Sequence, residues 1–315
     1  MGLFKRWRFE RMRRRRERFP SFLSIELTTL CNARCSMCPR DKMERRDRDM
    51  SMETLERLIE SLRGKPIRKA NVFWMGDPFA SKRFLECARR IRSKLPRLRL
   101  YASTNCGALN ENTVKAIVDE QLLHMVNLDI DATTSDVHAA IRRGVGFDRA
   151  LRNARFLVDY RRERRKRFPK IRATMIRMES NEHQVDEFKR FWGPLADKVD
   201  ITRYHTWLGE LDEPSPDGGP AKGEANGGWD FACRHPWDEA VIAVDGRVGL
   251  CCLDHDLSVV LGDLNEQTLE EIWTGPVITD VRRKLLELRY DEIPPCSRCG
   301  AHVYQQNNSW TRMQR

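Results

Sequence analysis

No stretch of this 315-residue chain approaches the ~20 consecutive apolar residues that a membrane-crossing helix needs. No apolar signal region followed by a cleavage site opens it, which argues against secretion. Neither a G-x-x-x-x-G-K-[ST] loop nor a G-x-G-x-x-G turn occurs, so binding nucleotide phosphates is not its main business. No internal repeat is visible, which sets repeat architectures aside. Without a secretory route, the ten cysteines read as metal ligands and free thiols before disulfides. A cytoplasmic, oxygen-sensitive protein is the expectation.

A broad basic face is missing too, although the net charge is +11. Residues 1–20 carry +7 of it, as nine Lys/Arg against two Glu. The excess belongs to an N-terminal arm. If helical, Leu3, Phe4, Trp7 and Met12 share one side, which suits an anionic membrane surface or nucleic acid. A solvated or barrel-packed leader is the plainer and favoured reading. A second basic run, Arg161 to Arg167, ends a predicted helix, where the dipole favours cations without any ligand.

Length and an apolar content of 40% allow one large domain plus a small one. Strand patterns fall at 22–28, 69–75, 97–104, 124–131, 170–178 and 199–205. Helical patterns separate them, at 52–62 with Ser51 as N-cap, then near 83–95, 110–122, 147–165 and 183–196. This alternation predicts an α/β fold: a parallel sheet with right-handed crossovers, short of the eight units of a closed barrel. Polar residues gather just past the strands, where α/β barrels keep their chemistry. They include Met75-Gly76-Asp77-Pro78, Thr104-Asn105, Asp129 with Asp131, and His205.

Residues 211–229 hold five Gly and three Pro and read as a linker or active-site loop. Beyond them, Val241–Val244 and Arg247–Leu250 flank Asp245-Gly246 and predict a hairpin; a helix is predicted at 268–288. The expected organisation is a basic arm over 1–20, a barrel over 21–210, the linker, a cysteine module over 230–305 and a tail over 306–315.

The strongest signal is Cys31-Asn-Ala-Arg-Cys35-Ser-Met-Cys38, directly after the first strand. Three thiolates can hold three irons of a [4Fe–4S] cube and leave the fourth open, whereas an electron-carrying cluster normally has four cysteines. A zinc knuckle is the bland alternative, but structural zinc wants four ligands. In the last module, Cys233 and Cys251 flank the hairpin, and Cys296-Ser-Arg-Cys299 forms a two-ligand claw. That count fits tetrahedral zinc and a fully ligated [4Fe–4S] cluster equally. Cys252 is the spare thiol.

On these cysteines the chain resembles the radical S-adenosylmethionine (SAM) enzymes. Met37 stands where that family usually has an aromatic residue. The resemblance implies a partial (β/α)6 barrel followed by a small α+β module of the SPASM/twitch kind. The spacing of Cys233, Gly246, Cys251, Cys296 and Cys299 is similar to the shorter, twitch-type arrangement of 2-deoxy-scyllo-inosamine dehydrogenase, which implies one auxiliary [4Fe–4S] cluster. It further implies SAM contacts by Gly76 and Asp77, in a Gly-Gly-Glu-like position, by Thr104-Asn105 and by Asp129 at a ribose position.

The implied chemistry is reductive cleavage of SAM to a 5′-deoxyadenosyl radical that takes a substrate hydrogen atom, with electrons from a low-potential donor such as a flavodoxin or ferredoxin. Four cysteines saturate the auxiliary cluster, so an electron-acceptor role fits it best. The leading expectation is oxidation of a small alcohol, a sugar or aminocyclitol. Maturation of a ribosomal peptide by epimerisation or cross-linking is the alternative; the 21 residues before the first strand are too few for a leader-binding domain. A non-catalytic metal module docking nucleic acid is the third. Candidate catalytic residues are Cys106 as hydrogen donor, and Arg203 and His205 as base or anion holders; small loop residue is the plainer role for Cys106.

Overall fold

The structure is a computed structural model that describes residues 3–211 and 232–299. The expected tail and all but residue 211 of the expected linker lie outside them.

Six parallel strands form the barrel wall: β1 (Phe22–Ile25), β3 (Lys69–Asn71), β4 (Arg99–Thr104), β5 (Met125–Asp129), β7 (Lys170–Arg177) and β8 (Lys198–Arg203). Helices α2 (Met52–Leu62), α3 (Phe84–Lys94), α4 (Glu111–Asp119), α6 (Phe147–Glu163) and α7 (Val185–Trp192) occupy the crossovers. Ser51 caps α2 as expected, accepting the Thr54 amide at 3.0 Å. Elements that periodicity does not announce are the short strands β2 (Arg34–Cys35) and β6 (Arg142–Arg143), which pair only with each other, and helix α5 (Ser135–Ile141).

Side-chain alternation divides the barrel wall into two faces. Leu23, Ala70, Leu100, Ala102, Val126, Leu128, Ile171, Ala173 and Met175 are wholly buried, in one core with the apolar stripes of the helices. The residues between them are polar: Ser24, Asn71, Ser103, Asn127, Asp129, Arg172 and Asp200. They bond to one another across strands. Asn127 accepts from Arg172 Nε at 2.8 Å, and Arg172 pairs with Asp200 at 3.3 Å. The inner wall is thus hydrophilic.

The sheet continues past the barrel. β9 (Glu239–Ile242) runs parallel to β1, in register from Phe22↔Glu239 to Ile25↔Ile242. β10 (Arg247–Gly249) and β11 (Val260–Asp263) follow antiparallel, giving one nine-stranded sheet. The hairpin turns at Gly246, whose φ of +93° suits glycine. The expected 268–288 helix is two, α9 (Leu269–Trp273) and α10 (Pro276–Leu286). Gly275-Pro276 separates them, because Pro276 has no N–H to continue α9 and instead opens α10.

The basic arm is helix α1 (Leu3–Arg16). It docks on the C-terminal module at α8 (His235–Asp238): Phe9 meets Trp237 edge-on at 5.5 Å, Arg16 pairs with Asp238, and Trp273 Nε1 donates to the Arg16 carbonyl at 2.8 Å. Trp7 faces outward, 56% exposed, with Arg11 over its ring. Of the side expected to be shared by Leu3, Phe4, Trp7 and Met12, the side chains of Leu3 and Phe4 lie outside the described ones, and Trp7 and Met12 part company. Met12 packs on the core and Trp7 does not.

Candidate iron–sulfur and cofactor sites

β1 delivers the chain to Cys31, and the loop that follows is closed at its base. Thr28 bridges to Asp49, and the Met50 amide donates to the Leu27 carbonyl at 2.9 Å. Within it, Cys35 pairs with Arg142 in the short β2–β6 ladder. Arg142 reaches back with Nη1 3.6 Å from Cys35 Sγ, while its Nε donates to Asp131 at 2.6 Å. Asp131 is fully buried and left-handed (φ +61°), and its other oxygen accepts the Ile176 amide at 2.7 Å. One buried ion pair thus ties the cysteine loop to β5 and β7.

Burial raises the pKa of all three thiols, Cys38 to about 12. Each also feels at least one of the others, or the carboxylates Asp77, Asp129 and Asp131, in the same direction. Thiolates here need a cation, which iron would supply. Tetrahedral zinc, with ligands about 2.0–2.3 Å from the metal, would crowd its donors to under about 4 Å. No trio drawn from Cys31, Cys35 and Cys38 lies within even 4.8 Å. The wider spacing suits thiolates that each take a different iron of a cube.

Next to this loop, Gly76 is required by close approach. A Cβ there would lie 2.4 Å from the Thr28 carbonyl oxygen and 2.7 Å from that of Leu30. The Asp77 side chain is consumed internally: its carboxylate accepts from Phe79 N, Thr104 Oγ1 (2.8 Å) and Asn105 N (2.9 Å). Thr104 in turn accepts the Cys106 amide at 2.9 Å. Asp77 and Thr104 therefore join strand ends. Asn105 faces the loop, with Nδ2 3.8 Å from Cys31 Sγ and 3.1 Å from Asn32 Oδ1. Asp129 accepts from Ser103 at 2.6 Å, and burial pushes it up to about 6.

The four C-terminal thiols come from separate elements: Cys233 before α8, Cys251 after β10, Cys296 in α11 (Pro294–Ser297) and Cys299 beyond it. Burial raises Cys296, and the neighbouring Cys233, Cys299 and Cys251 add to it. Among the described residues they form no mononuclear-metal trio of their own. A saturated cube fits them better than zinc. Cys252 lies beside Cys251 and outside the charges felt by Cys296, which favours Cys251 as ligand.

Cys106 stands apart from the open face. It is wholly buried, in a left-handed turn (φ +63°), with its thiol turned back to the Thr104 carbonyl at 3.7 Å. Of its two expected roles, hydrogen donor and small loop residue, this burial accords with the plainer one. Arg203 ends β8, opposite Arg177 of β7. His205 lies near His235; burial and that neighbour lower it to about 4, so it is neutral at pH 7.

The family model of the radical SAM superfamily matches residues 25–191. This chain belongs to the radical SAM superfamily. The model of the SPASM iron–sulfur cluster-binding domain matches residues 233–300. The fold is similar to that of BtrN crystallised with AdoMet and 2-DOIA (TM-score 0.59, 19% identity, 89% of this chain and 92% of that one). It is also similar to Streptococcus suis SuiB bound to the precursor peptide SuiA (TM-score 0.68, 15% identity, 89% and 71%). Among curated proteins, the tungsten-containing aldehyde ferredoxin oxidoreductase cofactor-modifying protein of Pyrococcus furiosus is 25% identical over 174 residues, 54% of this chain and 47% of that protein. The GTP 3′,8-cyclase of Alkaliphilus metalliredigens is 26% identical over 138 residues, 43% and 42%. The chain thus spans about half the length of the curated relatives it matches, or less.

As a radical SAM protein with a SPASM domain, the chain carries a SAM-binding [4Fe–4S] site and an auxiliary cluster site. Several residues around them escape sequence reasoning because their partners are distant. Tyr290 accepts the Cys233 amide at 2.8 Å, and its phenol pKa is raised by burial and by Cys233, Cys296 and Cys299. Arg45 pairs with the wholly buried Glu26 and lies 4.5 Å over the Trp74 ring, whose Nε1 donates to the Cys252 carbonyl. Trp207 Nε1 donates to the Met37 carbonyl at 2.9 Å, and Leu208 beside it packs with Leu253 near Cys251 and Cys299. The turn after β8 therefore touches both cysteine sets. Nothing in the sequence marks it except two large apolar residues in a row.

Proposed function

We propose that this chain is a SAM-dependent radical oxidoreductase that oxidises a small polar alcohol, of the sugar or aminocyclitol class, with its auxiliary cluster as electron acceptor. The observation that carries this reading is the inner barrel wall. Ser103, Asn127, Asp129, Arg172 and Asp200 form a cross-strand hydrogen-bonded surface suited to hydroxyls and amines. An apolar substrate would leave unused the donor and acceptor capacity these groups keep beyond their bonds to one another.

Bound at the first site, SAM and the cluster supply a 5′-deoxyadenosyl radical. The chain's own residues do the rest. Cys31, Cys35 and Cys38 hold three irons, and Asn105 orients Cys31 by its 3.8 Å contact. The main chain at Gly76 and Asp77 accepts from the amino group of SAM, and Asp129 accepts from its ribose. Arg142 keeps Cys35 in place and offsets thiolate charge. Cys233, Cys251, Cys296 and Cys299 saturate the second cluster, which leaves it to accept an electron and not to bind substrate. Arg203 and His205 are the candidates for holding substrate or taking the hydroxyl proton. A flavodoxin- or ferredoxin-like donor supplies low-potential electrons.

That BtrN was crystallised with 2-DOIA accords with this class, although the likeness is one of fold. The test is untargeted mass spectrometry in D2O, comparing active protein plus SAM and reductant with Cys31→Ala on small-molecule and peptide pools. The expected product is lighter by about two mass units. A product heavier by about one unit, from a single deuterium, contradicts the oxidase and favours a peptide epimerase.

A further inference from the structure

Cys252 and His235 are used by neither iron–sulfur site, yet both are placed with care. We propose that the C-terminal module has a second metal state, in which His235, Cys251 and Cys252, with water as the fourth ligand, hold one zinc-like divalent ion when the auxiliary cluster is absent. The competition described here rests on the auxiliary-cluster reading of Cys251.

The donor atoms of His235, Cys251 and Cys252 lie within 4.8 Å of one another, and among the described residues no other trio of His, Cys, Asp or Glu does. Tetrahedral zinc asks for neighbours separated by somewhat under about 4 Å, given Zn–S near 2.3 Å and Zn–N near 2.0 Å. Small side-chain adjustments reach that. The imidazole is already braced. His235 is 7% exposed, and its Nδ1 lies 3.2 Å from Glu239 Oε2. The other Glu239 oxygen accepts from Ser24 Oγ at 2.6 Å. A carboxylate on one ring nitrogen fixes the tautomer and makes the other nitrogen a better ligand, as at metal-bound histidines generally. Trp74 Nε1, donating to the Cys252 carbonyl at 2.8 Å, holds the backbone that carries the third donor.

Both states need Cys251, so they exclude each other. Zinc binding takes up Cys251 and Cys252 as thiolates and releases their protons. It changes no oxidation state, and it leaves Cys233, Cys296 and Cys299 one thiolate short of a saturated cube. A module in the zinc state therefore has no electron acceptor. The fork lies at metal loading and not in the catalytic cycle.

The test uses the full chain stripped of metal under anaerobic conditions and titrated with zinc against a chromophoric chelator. Iron and sulfide are then added with and without one equivalent of zinc. Wild type is expected to bind one zinc, and zinc-loaded protein to take up about four irons in place of about eight. Cys252→Ser and His235→Gln are each expected to weaken zinc at least about tenfold and to reach about eight irons despite zinc. The first cluster's four irons report that each variant has folded. Cobalt in place of zinc should show charge-transfer absorption from two thiolates. Unchanged zinc affinity in both variants, or absorption from four thiolates, overturns the proposal. Wild type that stops at about four irons without zinc overturns the auxiliary-cluster reading, and the competition with it.

Discussion

The two cysteine sites of this protein are built in opposite ways. The first takes three ligands from eight consecutive residues, and the fold is then recruited to clamp that loop. The second takes ligands spread over sixty-seven residues, and the fold must exist before they meet. At the first site the clamp is electrostatic: Arg142 bridges Asp131 and Cys35. At the second it is a sheet and a phenol: β9 extends the barrel beside β1, and Tyr290 seats Cys233. A loop can hold an open iron because nothing else needs to close over it. A saturated centre needs four sides, and separate elements provide them.

The sharpest way to break this contrast is to remove the clamp of the first site. Arg142→Met leaves Asp131 as an unpaired, wholly buried carboxylate. Urea unfolding of the apo-protein should show a loss of about 3–5 kcal/mol. The first cluster should fail to assemble while the second still forms. Retention of both clusters at wild-type stability would show that the short β2–β6 ladder alone holds the loop.

Tyr290→Phe makes the corresponding cut at the second site. It strands the Cys233 amide at a cost of about 1–3 kcal/mol. Auxiliary iron should be lost faster to a chelator, with the first cluster unaffected. Equal loss from both sites would mean that the two clamps are one.

A smaller effect tests the inner wall. Asp129 has its pKa raised by burial to about 6, above the ~3.9 of an unfolded aspartate. Between those values the folded state binds more protons than the unfolded one, so this group's contribution falls as pH rises from about 4 through 6. Asp129→Asn removes that decline, and the apo-variant should gain on wild type by about 1–3 kcal/mol between pH 4.5 and 7 in urea titrations. Parallel pH profiles would show that Asp129 is better solvated than its setting implies. SAM binding should weaken in the same variant.

The same contrast explains what could be read in advance. The first site was legible because a C-x3-C-x2-C run after a strand is local, and the six strands and five crossover helices were legible through periodicity. Strand ends were drawn up to four residues too long after β1 and β3, because the chain bends at Leu27 and at Val72, Trp74 and Met75 and so leaves the ladder. That the Asp77 carboxylate is spent on Thr104, Asn105 and Phe79 was not legible, because two of its partners lie 27 and 28 positions away. Cys106 could be read as a hydrogen donor or, more plainly, as a small loop residue, and the left-handed turn that buries its thiol was not legible. Glu26–Arg45, Asp131–Arg142 and Tyr290 with Cys233 join residues from 11 to 57 positions apart, and no spacing rule reaches them. The docking of α1 on α8 was missed for the same reason.

The central claim is a division of labour: the first site makes the radical and the second takes the electron. The most direct test counts 5′-deoxyadenosine and oxidised product per chain for wild type, Cys31→Ala and Cys296→Ala with the same substrate pool. The account predicts both products from wild type and neither from Cys31→Ala. From Cys296→Ala it predicts 5′-deoxyadenosine without oxidised product. Oxidised product from Cys296→Ala at the wild-type yield would contradict it.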